Sequence, residues 1–589
     1  MQGSLEGTDL LPKNDSQAAY GLLRHQLTDN FEIFSEARWS ERKFLSRSAS
    51  ALSILTVPST NPFYVNPFPG DSVRISYSFL DDLGPTMLSG KTTTGAAVLG
   101  GTYSFRTAWE ISGYGSYGKQ EFTFSQTNTV DAAQLAIALA DPNPATAFNP
   151  FGDGSHTNPD TLERLRSTTY NDGLSVVRTV NVVADGPLFA LGGGEIRAAI
   201  GAEWREEEIE STRTRANLSR VVRAAFAELS VPLVSSANAI RGIRRLEMSI
   251  AGRFEDYDDF GNTFNPKYGL SYSPVDELTL RATWGTSFRA PRLYDLSPLS
   301  SGGTPAVRLA ALPDPQSQTN STVALIQTGN NGDLSEETAT AKTFGVDFAP
   351  RELLGGFAAS ATYYDIDYSD RIQRPGPNSE PDILRQEDLW LEIVNRQPSP
   401  DLISALCAQL TSGNCALSPP QVVVDRRLRN IARLRIRGLD LQFSKLIETE
   451  VGNFNLGLNA SKMFSYEQQL SATSPGQEFV GTYQNPADLR LRGTAVFTRG
   501  RVSVSGAANY VDSYSDEVSV PNRDIASWTT FDIGFAYQLG GRAEGVQIAL
   551  RSVNVFDRDP PFVNNAFGFD PWNASPLGRL VTLQLTKTW

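Results

Sequence analysis

The sequence predicts an all-β chain, an antiparallel sheet of about nineteen strands, each greasy on one face and wet on the other. Three observations predict it. Apolar residues recur at every second position through most of the chain, and turn residues part these runs. Short links also alternate with excursions of about thirty to fifty residues, an asymmetry expected of short turns at one end of a barrel and long loops at the other. No run approaches the eighteen or so apolar residues of a membrane helix; the longest helix-like apolar piece is Leu135 to Ala140. The 589 residues include 48 glycines and are 10% aromatic, with a mean hydropathy of -0.26. That balance excludes a helical membrane protein but not a strand-built one, because alternating strands spread their hydrophobicity thinly. No fixed repeat period supports a propeller or β-helix.

Residues 1–14 form a tail, and nothing from Met1 to Ser16 has the charged start, apolar core and small-residue cleavage site of a secretory signal. A single domain is expected over 15–589. Its first strands are Ala18 to Gln26 and Phe31 to Trp39, with a turn at Thr28 to Asn30. The polar excursion from Ser46 to Lys91 contains one alternating run, Val73, Ile75, Tyr77 and Phe79. Counting it as a span would invert every later strand, so it belongs to a projecting hairpin. Thr92 to Phe105 and Trp109 to Phe124 come next, then a long segment with a helix at Asp131 to Ala140, N-capped by Asp131, and the loop FNPFGDGSHTNPD. Strands resume at Leu174 to Val183 and Glu195 to Trp204 around the Gly192 to Gly194 turn, then Val221 to Leu229 and Leu246 to Phe254.

The most informative stretch is Asn265 to Asp295, NPKYGLSYSPVDELTLRATWGTSFRAPRLYD. Tyr268, Leu270 and Tyr272 share a face, Pro274 to Glu277 turns the chain, and Leu278, Leu280, Ala282, Trp284 and Phe288 continue the apolar side. Arg281 and Arg289 keep to the opposite face. A soluble sheet would hide the apolar side and a transmembrane barrel would turn it to lipid; alternation fits both. Beyond a loop to about Ser335 come Thr340 to Phe348 and Phe357 to Tyr368, then a large loop from Pro375 to Val424. The remaining strands are Arg435 to Phe443, Phe454 to Phe464, Leu489 to Phe497, Val502 to Tyr510, Thr529 to Tyr537, Val546 to Phe556 and Leu580 to Trp589. In one of them Phe531, Ile533, Phe535 and Tyr537 oppose Asp532, Gly534 and Ala536.

The central stretch resembles the mid-barrel signature of TonB-dependent outer-membrane receptors. Asn265 to Lys267 supplies the Asn-Pro-Lys opening, Ser287 to Pro291 the Ser-Phe-Arg-Ala-Pro run, and Asp295 and Leu296 the Asp-Leu pair. LSEETATAKTFGVDFAP and YYDIDYSDRIQ are similar to the family's next strands. Trp589, with Leu585, Leu583 and Val581 on its face, resembles the terminal aromatic that barrel assembly machinery reads, although Lys587 departs from the usual apolar residue. The resemblance implies a monomeric transmembrane antiparallel β-barrel in outer-membrane lipid of a Gram-negative bacterium, with long extracellular loops and short periplasmic turns. It implies a receptor and transporter, not an enzyme, that takes up siderophore-iron, cobalamin or oligosaccharide with TonB, ExbB and ExbD. Family barrels have about twenty-two strands around a plugged lumen. If the final strand ends on the periplasmic side, counting back makes the first visible strand run downwards, whereas a complete barrel begins upwards. The expectation is a truncated form without the plug, the TonB box and about three strands.

Net charge is -13, from 52 basic and 65 acidic residues, which argues against nucleic acid as a partner. No nucleophile elbow, Walker loop or His-Glu-x-x-His pattern is present, and His25 and His156 lie far apart, so no cofactor or catalytic site is expected. Candidate lumen groups are Arg281, Arg289 and Asp532; the arginines would meet an anionic ligand, dock a plug or simply line a wet interior. Phe148, Phe151 and Trp390 would stack on a sugar ring or a catechol, or pack within their own loops. Glu255, Asp256, Asp258 and Asp259, and again Asp365, Asp367 and Asp370, would collect calcium or form solvated strand ends; both groups lack the glycine and final glutamate of a calcium loop. Cys407 and Cys415, separated by a Ser-Gly-Asn turn, read as a local disulfide or as two free thiols. A passive porin-like channel and a barrel-anchored enzyme or adhesin are the alternative functions. The face assignment predicts that Ile533→Arg is costly and Asp532→Arg much less so.

Overall fold

Antiparallel hydrogen bonding, not a layered core, organises the chain, and one sheet of 20 strands holds most of it. The computed structural model describes residues 6–588 apart from 66–71, 107, 152–156, 212–215, 298–305, 351–354, 378–379, 413, 518, 520 and 566. His156 and Trp589 therefore lie outside the described residues. The sheet begins β1 (Lys13–Thr28), β2 (Phe31–Ser48), β3 (Thr86–Ser104), β4 (Glu110–Val130), β5 (Arg166–Leu191), β6 (Gly194–Ser211) and β7 (Ala216–Val234). It continues with β8 (Arg245–Tyr257), β9 (Gly261–Val275), β10 (Leu278–Arg289), β11 (Glu337–Phe348), β12 (Phe357–Gln373) and β13 (Arg429–Thr449). It ends with β14 (Gly452–Gln469), β15 (Leu489–Arg499), β16 (Val502–Val511), β17 (Trp528–Gln538), β18 (Val546–Val553) and β19 (Leu580–Lys587). Each pairs with the next, and the twentieth member, Gln477–Glu478, only extends β14. Among the described residues no ladder joins β1 to β19, and every residue of both strands is exposed.

Residues directly opposite in register share a face, so the alternation read on one strand propagates across the sheet. Tyr268 pairs with Trp284, Trp284 with Lys342, and Leu270 with Ala282 and then Phe344. The Tyr268 and Trp284 rings stack 5.6 Å apart. On the same greasy face, polarity changes abruptly towards the long-loop end. Val180 pairs with Trp204, and the next outward pair is Arg178 with Glu206; Arg178 holds Glu206 and Glu208 at 2.8 and 2.7 Å. Beyond Trp39, Glu41 likewise binds Lys43 and Lys91 at 2.9 and 2.8 Å.

The strands run longer than their apolar patterns. β5 has 26 residues, whereas alternation marks only Leu174 to Val183, because backbone pairing persists in water after the need for apolar side chains has ended. The connections from β6 to β7 and from β8 to β9 are short, so the expected strict alternation of links and loops fails there.

The Val73 to Phe79 run does lie outside the main sheet. Leu52–Pro58 pairs with Ser72–Ser78 as a separate hairpin and packs against helices α1 (Ala132–Ala140) and α2 (Pro159–Leu165). The Asp131 carboxylate accepts the Ala133 and Gln134 N–H groups at 2.9 and 3.0 Å. Asp131→Ala is expected to destabilise α1 by about 1 kcal/mol, read as faster amide exchange at Ala133 and Gln134.

The expected loops, one reaching to about Ser335 and one from Pro375 to Val424, instead contribute to a second unit. Val394–Asn395, Val422–Arg427, Ser321–Gly329, Ala306–Pro313 and Leu410–Ser412 form, in that order, a five-stranded sheet with two parallel pairings. Ile326, Val422 and Val424 face one apolar cluster with Trp390; Leu325 and Val423 face another with Leu406. A strand buried on both sides carries a continuous apolar run, as in Ala324-Leu325-Ile326 and Val422-Val423-Val424, and lacks the period-two signal that marked the others.

Candidate functional site

The polar face of the main sheet is a ladder of paired charges. β10 places Arg281 so that its guanidinium grips Asp347 of β11 at 2.5 and 2.9 Å, with Thr283 and Thr343 sharing a 2.6 Å hydrogen bond in the next row. Arg289 holds Glu337 at 2.5 and 2.9 Å. Glu337 is 1% exposed and also accepts from the Tyr368 hydroxyl and, at 2.6 Å, the Ile372 N–H. Across β6 to β8, Arg205 bridges Glu203 and Glu207 at 2.7 and 2.8 Å, and Arg253 binds Glu255. The Tyr257 hydroxyl donates to Glu255 at 2.8 Å. Gly201 is needed here because a Cβ would run into the Phe226 ring, over which the Arg253 guanidinium lies at 5.4 Å.

Asp532 is 9% exposed and is engaged rather than open to a ligand. It accepts the Asn554 N–H at 3.1 Å and the Asn509 side-chain amide at 3.3 Å, with Arg492 at 3.5 Å. Arg281 and Arg289 share the polar face with Asp532, and each is already paired with a carboxylate. His25 stands on exposed β1 opposite Ile33, on the greasy side.

The acidic runs do not converge. Glu255 turns inwards to Arg253 and Tyr257, Asp256 outwards to Arg223 at 3.6 Å, Asp258 to the Val221 N–H, and Asp259 to Arg220 at 2.7 Å. Asp365 and Asp367 face Arg435 and Arg433, while Asp370 receives the Thr338 hydroxyl at 3.4 Å. Alternation sends Glu255 and Asp256 to opposite faces, Asp365 and Asp367 share a face but each is held by its own arginine, and among the described residues no group of three or more could hold a metal.

Phe148 is fully buried between Tyr77 and Phe79, Phe151 packs on the same cluster, and Trp390 is 3% exposed in the second unit's core. These rings hold their own loops together, the second of the two readings that the sequence left open. Cys407 and Cys415 are joined by a disulfide beside Leu406 and Leu410.

Arg396, which no sequence pattern marks, ties the second unit together. It binds Asp314 at 2.9 and 3.0 Å and Glu387 at 2.9 Å. The Arg396 guanidinium holds the Asp314 carboxyl at about 2 against the opposing effect of burial, with the Thr322 hydroxyl and Gln316 N–H assisting. Because that value lies below the ordinary 3.8, the stabilisation is complete above pH 4 and is lost as pH falls towards about 2. Acid titration should therefore loosen this unit within that window, read by amide exchange in Ser321–Gly329.

A family model described as "TonB dependent receptor-like, beta-barrel" matches residues 24–555. The ferric enterobactin receptor of Pseudomonas aeruginosa is 23% identical over 204 residues, 31% of this chain and 24% of that protein. PirA of the same organism, also a ferric enterobactin receptor, is 23% identical over 201 residues, 30% and 24% of the two chains. The aligned part thus spans about a quarter of the length of these curated relatives. Among solved structures, the P. aeruginosa receptor PfeA superposes with a TM-score of 0.60 at 15% identity, over 100% of this chain and 71% of that one. The siderophore receptor PirA from Acinetobacter baumannii gives 0.60 at 12% identity, over 98% and 71%.

Proposed function

The chain belongs to the family of TonB-dependent receptor-like β-barrels, a family of Gram-negative outer-membrane proteins, and from that membership we propose that it is the barrel portion of a nutrient receptor. Its extracellular loops capture a scarce, bulky ligand, and the charge-lined lumen passes it inwards, energised in the whole receptor by TonB, ExbB and ExbD. Siderophore-bound iron is the first candidate, supported by the names of the relatives and structural neighbours; cobalamin and oligosaccharide follow. The observation that carries this reading is the family match across most of the sheet. Two folded loop units at the long-loop end add to it, since a passive pore needs no such structures. The barrel acts as a monomer, is inserted by the barrel assembly machinery, and uses no cofactor.

Deleting the gene from its own genome tests this. Growth and radioiron uptake should fall with a ferric siderophore as sole iron source, to the level of a strain lacking TonB. Unchanged growth on siderophore-iron, cobalamin and oligosaccharide alike would remove the receptor reading.

A further inference from the structure

The loops at residues 470–488, 512–527 and 554–579, which join β14 to β15, β16 to β17 and β18 to β19, meet in a third unit at the long-loop end. Val563 of the last loop packs with Tyr514 and Ile525 of the second and Tyr483 of the first. The Asn573 side-chain amide donates to the Asn485 carbonyl at 3.0 Å, and its oxygen accepts from Arg490. Alternation puts Arg490 on the same face of β15 as Arg492, so the last loop leans over the polar side of the sheet and away from lipid.

That loop shows three large rings to solvent: Phe562, Phe567 and Trp572 are each more than half exposed, Trp572 the most at 72%. Each is nevertheless held. The buried Asp570 carboxylate accepts the Trp572 N–H at 3.0 Å, Asn565 accepts the Phe567 N–H at 2.8 Å, and the Arg523 guanidinium lies over the Phe562 ring at 5.4 Å. Phe148 and Trp390, by contrast, are buried in their units. Aromatic faces fixed in water lack the apolar contact that packing would supply, and a ring-bearing ligand restores it. Charge narrows the ligand's class. The three loops carry nine acidic residues and three basic ones, a field that repels an anion such as a ferric tris-catecholate and spares a neutral molecule. A pyranose ring is neutral, lays a flat patch of C–H groups on an aromatic face and turns its hydroxyls towards amides and carboxylates. We propose that Phe562, Phe567 and Trp572 form a stacking platform for the pyranose rings of a neutral oligosaccharide. This rests on the receptor reading above and, by chemistry instead of the names of relatives, moves oligosaccharide ahead of siderophore-bound iron.

The full chain in a sugar-free detergent, applied to an array of neutral gluco-, manno- and galacto-hexasaccharides in α and β linkage and of the matching uronic acids, tests it. Binding of a ferric tris-catecholate is measured in parallel by fluorescence quenching. At least one neutral series should bind, with its uronate about tenfold weaker or more. Trp572→Ala should weaken that binding about tenfold, and Trp572→Phe should recover most of it. Tyr170→Ala, which removes a similarly exposed ring from β5, should change nothing. Heat-modifiable gel migration identifies folded variants. Binding of no neutral series, uronates bound as tightly as their neutral counterparts, or a folded Trp572→Ala chain that binds like the parent would overturn the proposal. So would a ferric tris-catecholate bound more tightly than any sugar and lost with Trp572→Ala. The receptor reading stands or falls separately, on the growth and uptake of the deletion strain.

Discussion

Replacing Ile533 with arginine is expected to lower the folding stability of the barrel by about 2 to 4 kcal/mol, the cost of a lipid-facing cation near the bilayer midplane. Ile533 is 52% exposed, lies in register with Gly506 and Ser552, and has Phe531 and Phe535 two positions away on the same face. A guanidinium there must drag water inwards or reach past a phenylalanine towards the headgroups. Gln584→Arg is the matched control, because Gln584 lies on the opposite face from Leu583 and Leu585, where water solvates a new charge; it should cost less than about 1 kcal/mol. Urea titration of the chain in lipid vesicles, followed by tryptophan fluorescence, measures both. Equal losses would mean that the greasy face does not meet lipid. Asp532→Arg, mild by alternation alone, is not: it strips the Asn554 N–H of its acceptor and sets a second guanidinium beside Arg492, for about 2 kcal/mol or more.

Arg396→Ala should cost the extracellular five-stranded unit about 3 to 5 kcal/mol, because it leaves two carboxylates with no cation. Asp314 is 1% exposed and Glu387 9%, so water entering where the 27% exposed Arg396 side chain stood replaces only part of what the guanidinium supplies. Arg396→Lys should recover only part of the loss, since an ammonium cannot reproduce the planar fork that bridges both acids. Faster hydrogen exchange in Ala306–Pro313, Ser321–Gly329 and Val422–Arg427, with exchange in β9 and β10 unaltered, is the expected pattern. Unchanged exchange in all of these strands would show that the network is not what holds the unit.

What could be read in advance divides along a physical line. A strand between lipid and water must alternate, so β9, β10 and β17 were legible from residues such as Trp284, Arg281 and Ile533. Asp131 was legible as an N-cap, because capping is local chemistry. The extracellular unit was not, since strands buried on both sides lose alternation and Arg396 reaches an acid 82 positions away. The acidic runs stayed open between calcium ligation and strand ends because spacing alone does not show partners: Glu255 and Asp256 go to opposite faces, and Asp365 and Asp367, on one face, are each held by an arginine far away in sequence. Phe148 and Trp390 stayed open between two readings because an aromatic in a long loop reads the same whether it greets a ligand or anchors a core.

The abrupt step from Trp204 to the Arg178 and Glu206 pair, repeated from Trp39 to Glu41, fixes the immersion depth of the wall. Ion pairs in that position cannot sink, and tryptophans below them resist rising, so a thicker bilayer must thin around the protein at a fraction of a kcal/mol per Å of mismatch. The barrel should accordingly gather short-chain lipids at its perimeter and partition away from thick, ordered patches of the membrane.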